Sequence, residues 1–399
     1  MNQIAEHPRR SNGATPLSRR AALLLVLMGF GISLISVEVG ARLWMALRWP
    51  AGLVEAMTQA RNVRGRFIIG PPTGYRLAPN FQFANPPGRE YTHNSMGFRG
   101  AEFSREKPAD TLRVVLMGAS TIYGLSVTNE DTAAVLALQQ MKEALPGRSL
   151  EVINAGAPGW TTEDTLLNLD DRILDLSPDY VVVMDGRNEM FPQTYNHYVD
   201  SYDHFRVADD EALRLQNIGW KRFFRVFRTA LFVANRRPDW FGLRPHFENP
   251  VYGRIREENR PTVEEIHRHS MEPHRHRAFE SNLRKWVERS RAAGATPIFS
   301  TMVFDTNSLE LGLMLPANTT AADLDRVVDR NNEIVRMLSR ELEVPLIEGA
   351  SLSSAEFLTD DCHFNEAGER AFARMISDVI IPLASRPTTP TTPTTKTAP

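Results

Sequence analysis

The chain has 399 residues, 42% of them hydrophobic and 24% charged, which gives room for one large catalytic domain with accessory segments and excludes a disordered protein. A net charge of -2 excludes nucleic acid or an anionic lipid surface as a partner held by bulk electrostatics. The one cysteine, Cys362, excludes an intramolecular disulfide and any cysteine-rich metal site.

At the N-terminus, Arg9, Arg10, Arg19 and Arg20 precede an uncharged apolar run from Ala21 to Val37. The run is close to the lower limit of about 17 to 25 residues for a membrane span. Glu38 and Arg42, four apart, can pair near the interface, and Trp44 and Trp49 fall where an aromatic belt sits. Residues 1–20 are therefore read as a cytoplasmic tail and 21–48 as a transmembrane anchor. The positive-inside rule puts the rest of the chain outside the cytoplasm, in the periplasm. A cleaved secretory signal is the competing reading, disfavoured because its core is usually about 7 to 15 residues. Both readings export the catalytic region.

Residues 49–110 are rich in Pro, Gly, Arg and Asn, with short strand-like pieces at Tyr75-Arg-Leu and Phe81-Gln-Phe. They read as a linker or collar. Within it, Asn94-Ser-Met-Gly-Phe-Arg-Gly100 has the composition of a tight loop whose aromatic and arginine pack on the adjoining domain.

From residue 111 strands and helices alternate. Strand Val114–Met117, a helix near Thr132–Ala144, strand Leu150–Asn154, a helix near Thr162–Asp175 and strand Tyr180–Met184 imply βαβ units and a parallel sheet. Residues 190–277 break the pattern and read as an irregular insertion, dense in Arg, His and aromatics, of the kind that forms a lid or binding element. Its Phe223, Phe224 and Phe227 read as core rather than membrane contact. Regularity returns with a helix near Ala278–Ala293, strand Thr296–Met302, a helix near Ala321–Leu342, strand Pro345–Ile347 and a helix from Glu366 to about Asp378. The domain is bounded at 111–385, and the Thr/Pro tail at 386–399 is expected to be disordered.

Four short stretches carry chemistry. The first, Gly118-Ala-Ser120-Thr, comes after a buried strand and precedes a helix, which is where ligands bind in open α/β sheets. In the second, Ile153-Asn-Ala-Gly-Ala-Pro-Gly159, a closing glycine lets the backbone approach a ligand and leaves an N–H to donate. The third is Asp185-Gly186-Arg-Asn188-Glu, where an asparagine just past a strand can aim its amide at the same crevice. The fourth, Thr359-Asp360-Asp-Cys-His363, sets an acid three residues before a histidine, so that a carboxylate can hold one imidazole tautomer. Asp361 is the rival orienter, and Asp360 is preferred because the neighbour of Cys362 and His363 points in another direction. Cys362 itself reads as a packing residue.

Together these stretches resemble the sequence blocks of the SGNH (GDSL-like) hydrolase superfamily, and the phrase at 94–100 is similar to its membrane-anchored bacterial members. The resemblance implies a three-layer α/β/α domain of SGNH, flavodoxin-like type with a central parallel sheet, here preceded by one transmembrane helix. It makes Ser120 the nucleophile and Asp360 and His363 the acid–base pair. It places the oxyanion hole at Ser120, Gly159 and Asn188. Two positions depart from the family pattern: its usual Asp before the serine is Ala119, and its usual Asp after the asparagine is Glu189.

The implied activity is ester hydrolysis or acyl transfer through an acyl-enzyme, with an ester-bearing glycan or lipid as substrate and no metal or cofactor. An esterase, deacetylase or O-acyltransferase of envelope or extracellular polysaccharide is favoured from location. Lipid ester hydrolysis and a catalytically silent glycan-binding protein are the alternatives. The pairs His267/His269 and His274/His276 could be metal ligands by residue type, but amid arginines they read as a solvated basic patch. No oligomeric state can be read from the sequence.

Overall fold

The computed structural model describes residues 18–48, 66–69, 72–83, 91–206, 255–308, 315–316 and 318–385. Outside the described residues lie Arg9, Arg10, Trp49, the first part of the collar, the aromatic segment with Phe223, Phe224 and Phe227, and the Thr/Pro tail. So do the side chains of Arg42 and Trp44.

One unit of the chain is represented by a single helix, α1 (Arg19–Arg48). Its stretch Arg20–Gly40 is 21 residues long with mean hydropathy 2.3 and has no buried residue, so it is long and apolar enough to cross a membrane. Leu, Val and Ile occupy every side of it, leaving no polar stripe of the kind that marks a surface helix.

The other unit begins with two small antiparallel ribbons: β1 (Phe67–Ile69) with β2 (Tyr75–Leu77), and β3 (Gln82–Phe83) with β4 (Tyr91–Thr92). Then come β5 (Thr111–Gly118), α2 (Ser120–Tyr123), α3 (Ala133–Ala144), β6 (Ser149–Asn154), α4 (Thr162–Asn168), β7 (Tyr180–Met184) and α5 (Met190–Thr194). Beyond the undescribed stretch are α6 (Val263–His269), α7 (Arg277–Ala292), β8 (Thr296–Ser300), α8 (Ala321–Glu341), β9 (Leu346–Ile347) and α9 (Glu366–Ala384).

Strands β5 to β9 form one parallel sheet in the order β6-β5-β7-β8-β9. Successive residues of β5 point into two different cores, which is why its sequence is an unbroken apolar run. Val114 and Leu116 meet Ala137 and Met141 of α3 and Phe372 and Ile376 of α9. Val115 and Met117 meet Leu166 of α4 and Leu283 and Trp286 of α7. The result is the three-layer α/β/α architecture. Its strand order reverses at β5, so the carboxyl ends of β5 and β7 flank the switch point where such sheets bind ligands.

Three expectations change. The helix over Thr162–Asp175 stays regular only to Asn168, then widens over Leu169–Ile173 and tightens over Leu174–Leu176, while Leu166, Leu169, Ile173 and Leu176 all remain buried. The last helix runs past Asp378 to Ala384, because Ile380 and Ala384 continue its buried stripe in spite of Pro382. The described ends of segment 190–277 are not irregular: Met190, Phe191, Tyr195, Phe205 and Ile266 join the core that α3 and α9 line.

The histidines of that segment also differ from expectation. His269 and His276 are buried, with Nδ1 of His269 2.6 Å from the Thr194 carbonyl and Nδ1 of His276 2.7 Å from Asn331 Oδ1. Burial lowers both pKa values, so these imidazoles pack as neutral groups. His267 pairs with Asp323 at 2.8 Å, and it and His274 are the exposed members of the two pairs. Neither pair converges on one point, because alternate residues face opposite ways.

Candidate active site

The turn that carries Ser120 starts where β5 meets β7. Gly118 has φ 149°, and a Cβ there would lie 2.3 Å from the Met184 carbonyl oxygen, so no other residue fits. Ala119 occupies the cap position of α2 and offers it no side-chain hydrogen bond. Ser120 opens the turn. Its neighbour Thr121 donates from Oγ1 to the Cys362 carbonyl at 3.0 Å, tying the turn to the histidine loop.

The histidine loop closes on itself. Leu358 and Phe364 bridge, and the Thr359 N–H donates to the His363 carbonyl at 2.8 Å. Asp360 uses both oxygens. Its Oδ1 accepts the backbone N–H of Cys362 at 3.0 Å and of His363 at 2.8 Å, and its Oδ2 lies 2.6 Å from His363 Nδ1. The ring's other nitrogen, Nε2, lies 2.7 Å from Ser120 Oγ. This network assigns the proton to Nδ1 and leaves Nε2 to accept from the serine hydroxyl. Asp361 turns away, pairing with Arg187 at 2.7 Å. Just past the histidine, Asn365 ends the loop and caps α9 by accepting the N–H groups of Ala367 and Gly368.

These contacts set the electrostatics. Burial works against ionised Asp360, but the His363 hydrogen bond and charge and the two backbone N–H groups outweigh it and hold the carboxyl at about 2. For His363, burial lowers the pKa, while the Cys362 sulfur and the Asp360 carboxylate raise it, and the net direction is up. Burial pushes the Cys362 thiol up and keeps it neutral, so the charge acting on the ring near neutral pH is that of Asp360. Cys362 is 2% exposed with Sγ 3.7 Å from the ring, a packing position. Asp360, Cys362 and His363 are also the one group of potential metal ligands among the described residues, and they are already bonded to each other and to Ser120.

Two further loops end at the same edge of the sheet. Gly159, after β6, has φ 83°, a left-handed conformation that suits glycine. Asn188, after β7, is 9% exposed and donates one amide hydrogen to the Trp160 carbonyl at 2.8 Å, which leaves its second hydrogen for a ligand. The backbone N–H groups of Ser120 and Gly159 have no protein acceptor among the described residues. Glu189 is fully buried and accepts the Thr162 N–H, so its longer arm bridges the Asn188 turn to the start of α4. Burial raises its pKa, and the Thr162 hydrogen bond only partly offsets this. Arg206 holds the same helix, donating to both Asp164 oxygens at 2.6 and 2.7 Å.

The structure thus brings Ser120, His363 and Asp360 into one hydrogen-bonded chain and sets Gly159 and Asn188 on the loops after the adjoining strands. Sequence reasoning did not find Thr121, the Arg187–Asp361 pair or the Glu189 bridge. A threonine beside the serine and an arginine beside the asparagine were the only available signals, and each residue type is common in turns.

The sequence profile of the GDSL-like lipase/acylhydrolase family matches residues 116–371. Among solved structures the chain is similar to a lipase/acylhydrolase from Enterococcus faecalis, with 16% identity over 68% of this chain and 96% of that one and a TM-score of 0.37. It is similar to a catalytic mutant of an acetylxylan esterase from Geobacillus stearothermophilus, with 14% identity over 67% and 94% of the two chains and a TM-score of 0.37. A GDSL-like lipase from Bacteroides thetaiotaomicron gives 13% identity over 68% and 88%, with a TM-score of 0.36. No curated protein matches.

Proposed function

Because the chain belongs to the GDSL-like lipase/acylhydrolase family, we propose that it is a serine hydrolase acting on ester bonds, with Ser120 as nucleophile, His363 as base and Asp360 as its orienter. The observation that carries this reading is the chain of contacts from Asp360 Oδ2 to His363 Nδ1 at 2.6 Å and from Nε2 to Ser120 Oγ at 2.7 Å. His363 takes the Ser120 proton as Oγ attacks the ester carbonyl. The tetrahedral oxyanion is stabilised by the N–H groups of Ser120 and Gly159 and the free amide hydrogen of Asn188. Collapse expels the alcohol, which receives the proton from His363, and leaves an acyl-enzyme. Water or a sugar hydroxyl, deprotonated by the same imidazole, releases the acyl group.

The proposed organisation is a cytoplasmic tail at 1–20, an anchor at 21–48, a linker at 49–110 and an extracytoplasmic catalytic domain at 111–385 with an insertion at 190–277. The apolar stretch Arg20–Gly40 and the arginines ahead of it support this topology. An exported, anchored hydrolase meets polymers at the cell surface, so an O-acylated envelope or extracellular polysaccharide is the proposed substrate. Ser120→Ala is expected to abolish p-nitrophenyl acetate hydrolysis by the purified protein, with a loss of more than about 10⁴-fold. Turnover that survives the substitution would remove Ser120 as nucleophile.

A further inference from the structure

Arg99 is a buried cation that the proposed chemistry does not use. It lies ahead of β5, outside the residues matched by the family profile, and is 4% exposed. A guanidinium is costly to bury unless its donors find acceptors. Here Nη1 donates to the Tyr123 carbonyl at 2.7 Å and also to that of Gly124. Nη2 donates to the Val127 carbonyl at 2.6 Å, and Nε to Asn129 Oδ1 at 3.2 Å. The guanidinium carbon lies 4.7 Å from the centre of the Tyr123 ring and 5.0 Å from that of Tyr91, within range of a cation–π contact.

The acceptors are what give this arrangement a consequence. Tyr123 ends α2, the four-residue turn that Ser120 begins, and the Gly124 N–H closes back on the Ser120 carbonyl at 3.1 Å. The cation therefore grips one end of a turn whose other end presents the serine hydroxyl. Carbonyls at the end of a helical turn carry partial negative charge, so a cation there is favourable. Asn154 adds a second hold, donating from Nδ2 to the Ile122 carbonyl at 2.8 Å. The backbone of Arg99 is itself fixed: it bridges to Asn154, and its neighbour Phe98 is packed in the core against the sheet. Asn94 Oδ1 secures the loop by accepting the N–H groups of Met96 at 3.1 Å and Phe98 at 2.9 Å.

We propose that Arg99 is a positioning residue for the nucleophile, setting where Ser120 Oγ stands relative to His363 by clamping the far end of the Ser120–Tyr123 turn. The inference rests on the reading of Ser120 as nucleophile. Lysine cannot replace it, since an ammonium lacks the planar fork that reaches four acceptors at once.

The test uses the full chain in detergent with p-nitrophenyl acetate, comparing wild type, Ser120→Ala, Arg99→Ala and Arg99→Lys. Arg105→Ala is the control, because that side chain is 71% exposed and pairs only with Asp175 on the surface. Displacing a reacting group by an ångström costs about 100-fold, so Arg99→Ala is expected to lower kcat by about that factor with KM changed by less than about threefold. Added guanidinium, at concentrations that leave the melting temperature unchanged, is expected to restore part of the lost kcat in a saturable way. Should Arg99→Ala fail to fold, Arg99→Lys is read for the same split of kcat against KM. A folded Arg99 variant with wild-type kcat, or one whose loss lies in KM or is untouched by guanidinium, overturns the inference. Wild-type turnover that persists in Ser120→Ala overturns the nucleophile assignment and the inference with it, a result distinct from the others.

Discussion

The two halves of the site are built in opposite ways. In the histidine loop, the acid, the base and the bonds between them lie within Leu358–Phe364, and Asp360 serves the backbone with one oxygen and the imidazole with the other. The serine turn has local backbone bonds, from Tyr123 N–H to the Ala119 carbonyl and from Gly124 N–H to that of Ser120, but no local side-chain bond, since Ala119 contributes no cap. It is held from outside, by Arg99 and Asn154 on its carbonyls and by Thr121 on the Cys362 carbonyl. A reactive group can thus be fixed by its own neighbours or by remote partners, and only the first kind announces itself in a short motif.

Substitutions can break this contrast. Asp360→Asn should do most. The Asn carbonyl can still accept the Cys362 and His363 N–H groups and keep the turn, but the imidazole loses its carboxylate. A loss of about 10⁴-fold in kcat is expected, with the melting temperature near wild type, by analogy with the same change in a catalytic triad. A collapse of stability instead would mean that the loop depends on charge rather than on hydrogen-bond geometry.

The pH profile sharpens the same point. As the proposed base, His363 would work only when neutral, so kcat/KM is expected to fall about tenfold per pH unit below its pKa. Since the Asp360 carboxylate raises that pKa above its ordinary 6.5, the acid limb should have its midpoint above 6.5. Glu369, whose pKa burial raises to about 8 against the Ala133 N–H and Arg99, and Glu189, which burial also raises, are further groups near Ser120 and Asn188 that titrate above the ordinary carboxylate range. Asp360→Asn should move the limb to lower pH, and Glu369→Gln should leave it in place. The reverse pattern would give the limb to Glu369.

The smallest effect is expected at the joint between the halves. Thr121→Val deletes one hydrogen bond, worth about 1 kcal/mol or roughly fivefold in kcat/KM. Unchanged kinetics would mean that the two halves meet without it.

How much of this was legible depended on the range of the forces involved. The β5 run was legible because burial on both faces leaves a continuous apolar signature. Asp360 and His363 were legible as a pair because the spacing alone puts them together. Arg99 was visible only as a residue that would pack, because its acceptors are carbonyls 24 to 28 residues away that no composition reveals. His269 and His276 were misjudged for the same reason: their partners, Thr194 and Asn331, lie 75 and 55 residues off, so the surrounding arginines suggested water instead. The described ends of segment 190–277 looked irregular because their helices are short, and the apolar residues that dock them are too few per turn to establish a period.

The self-closed hairpin of the histidine has a mechanical corollary. Its acid-to-imidazole distance is set between residues three apart, within one loop, and does not depend on how distant elements pack. The contact between Ser120 and His363 instead joins two segments 243 residues apart, so it is the part of the chain of contacts that depends on how the sheet and its flanking helices pack.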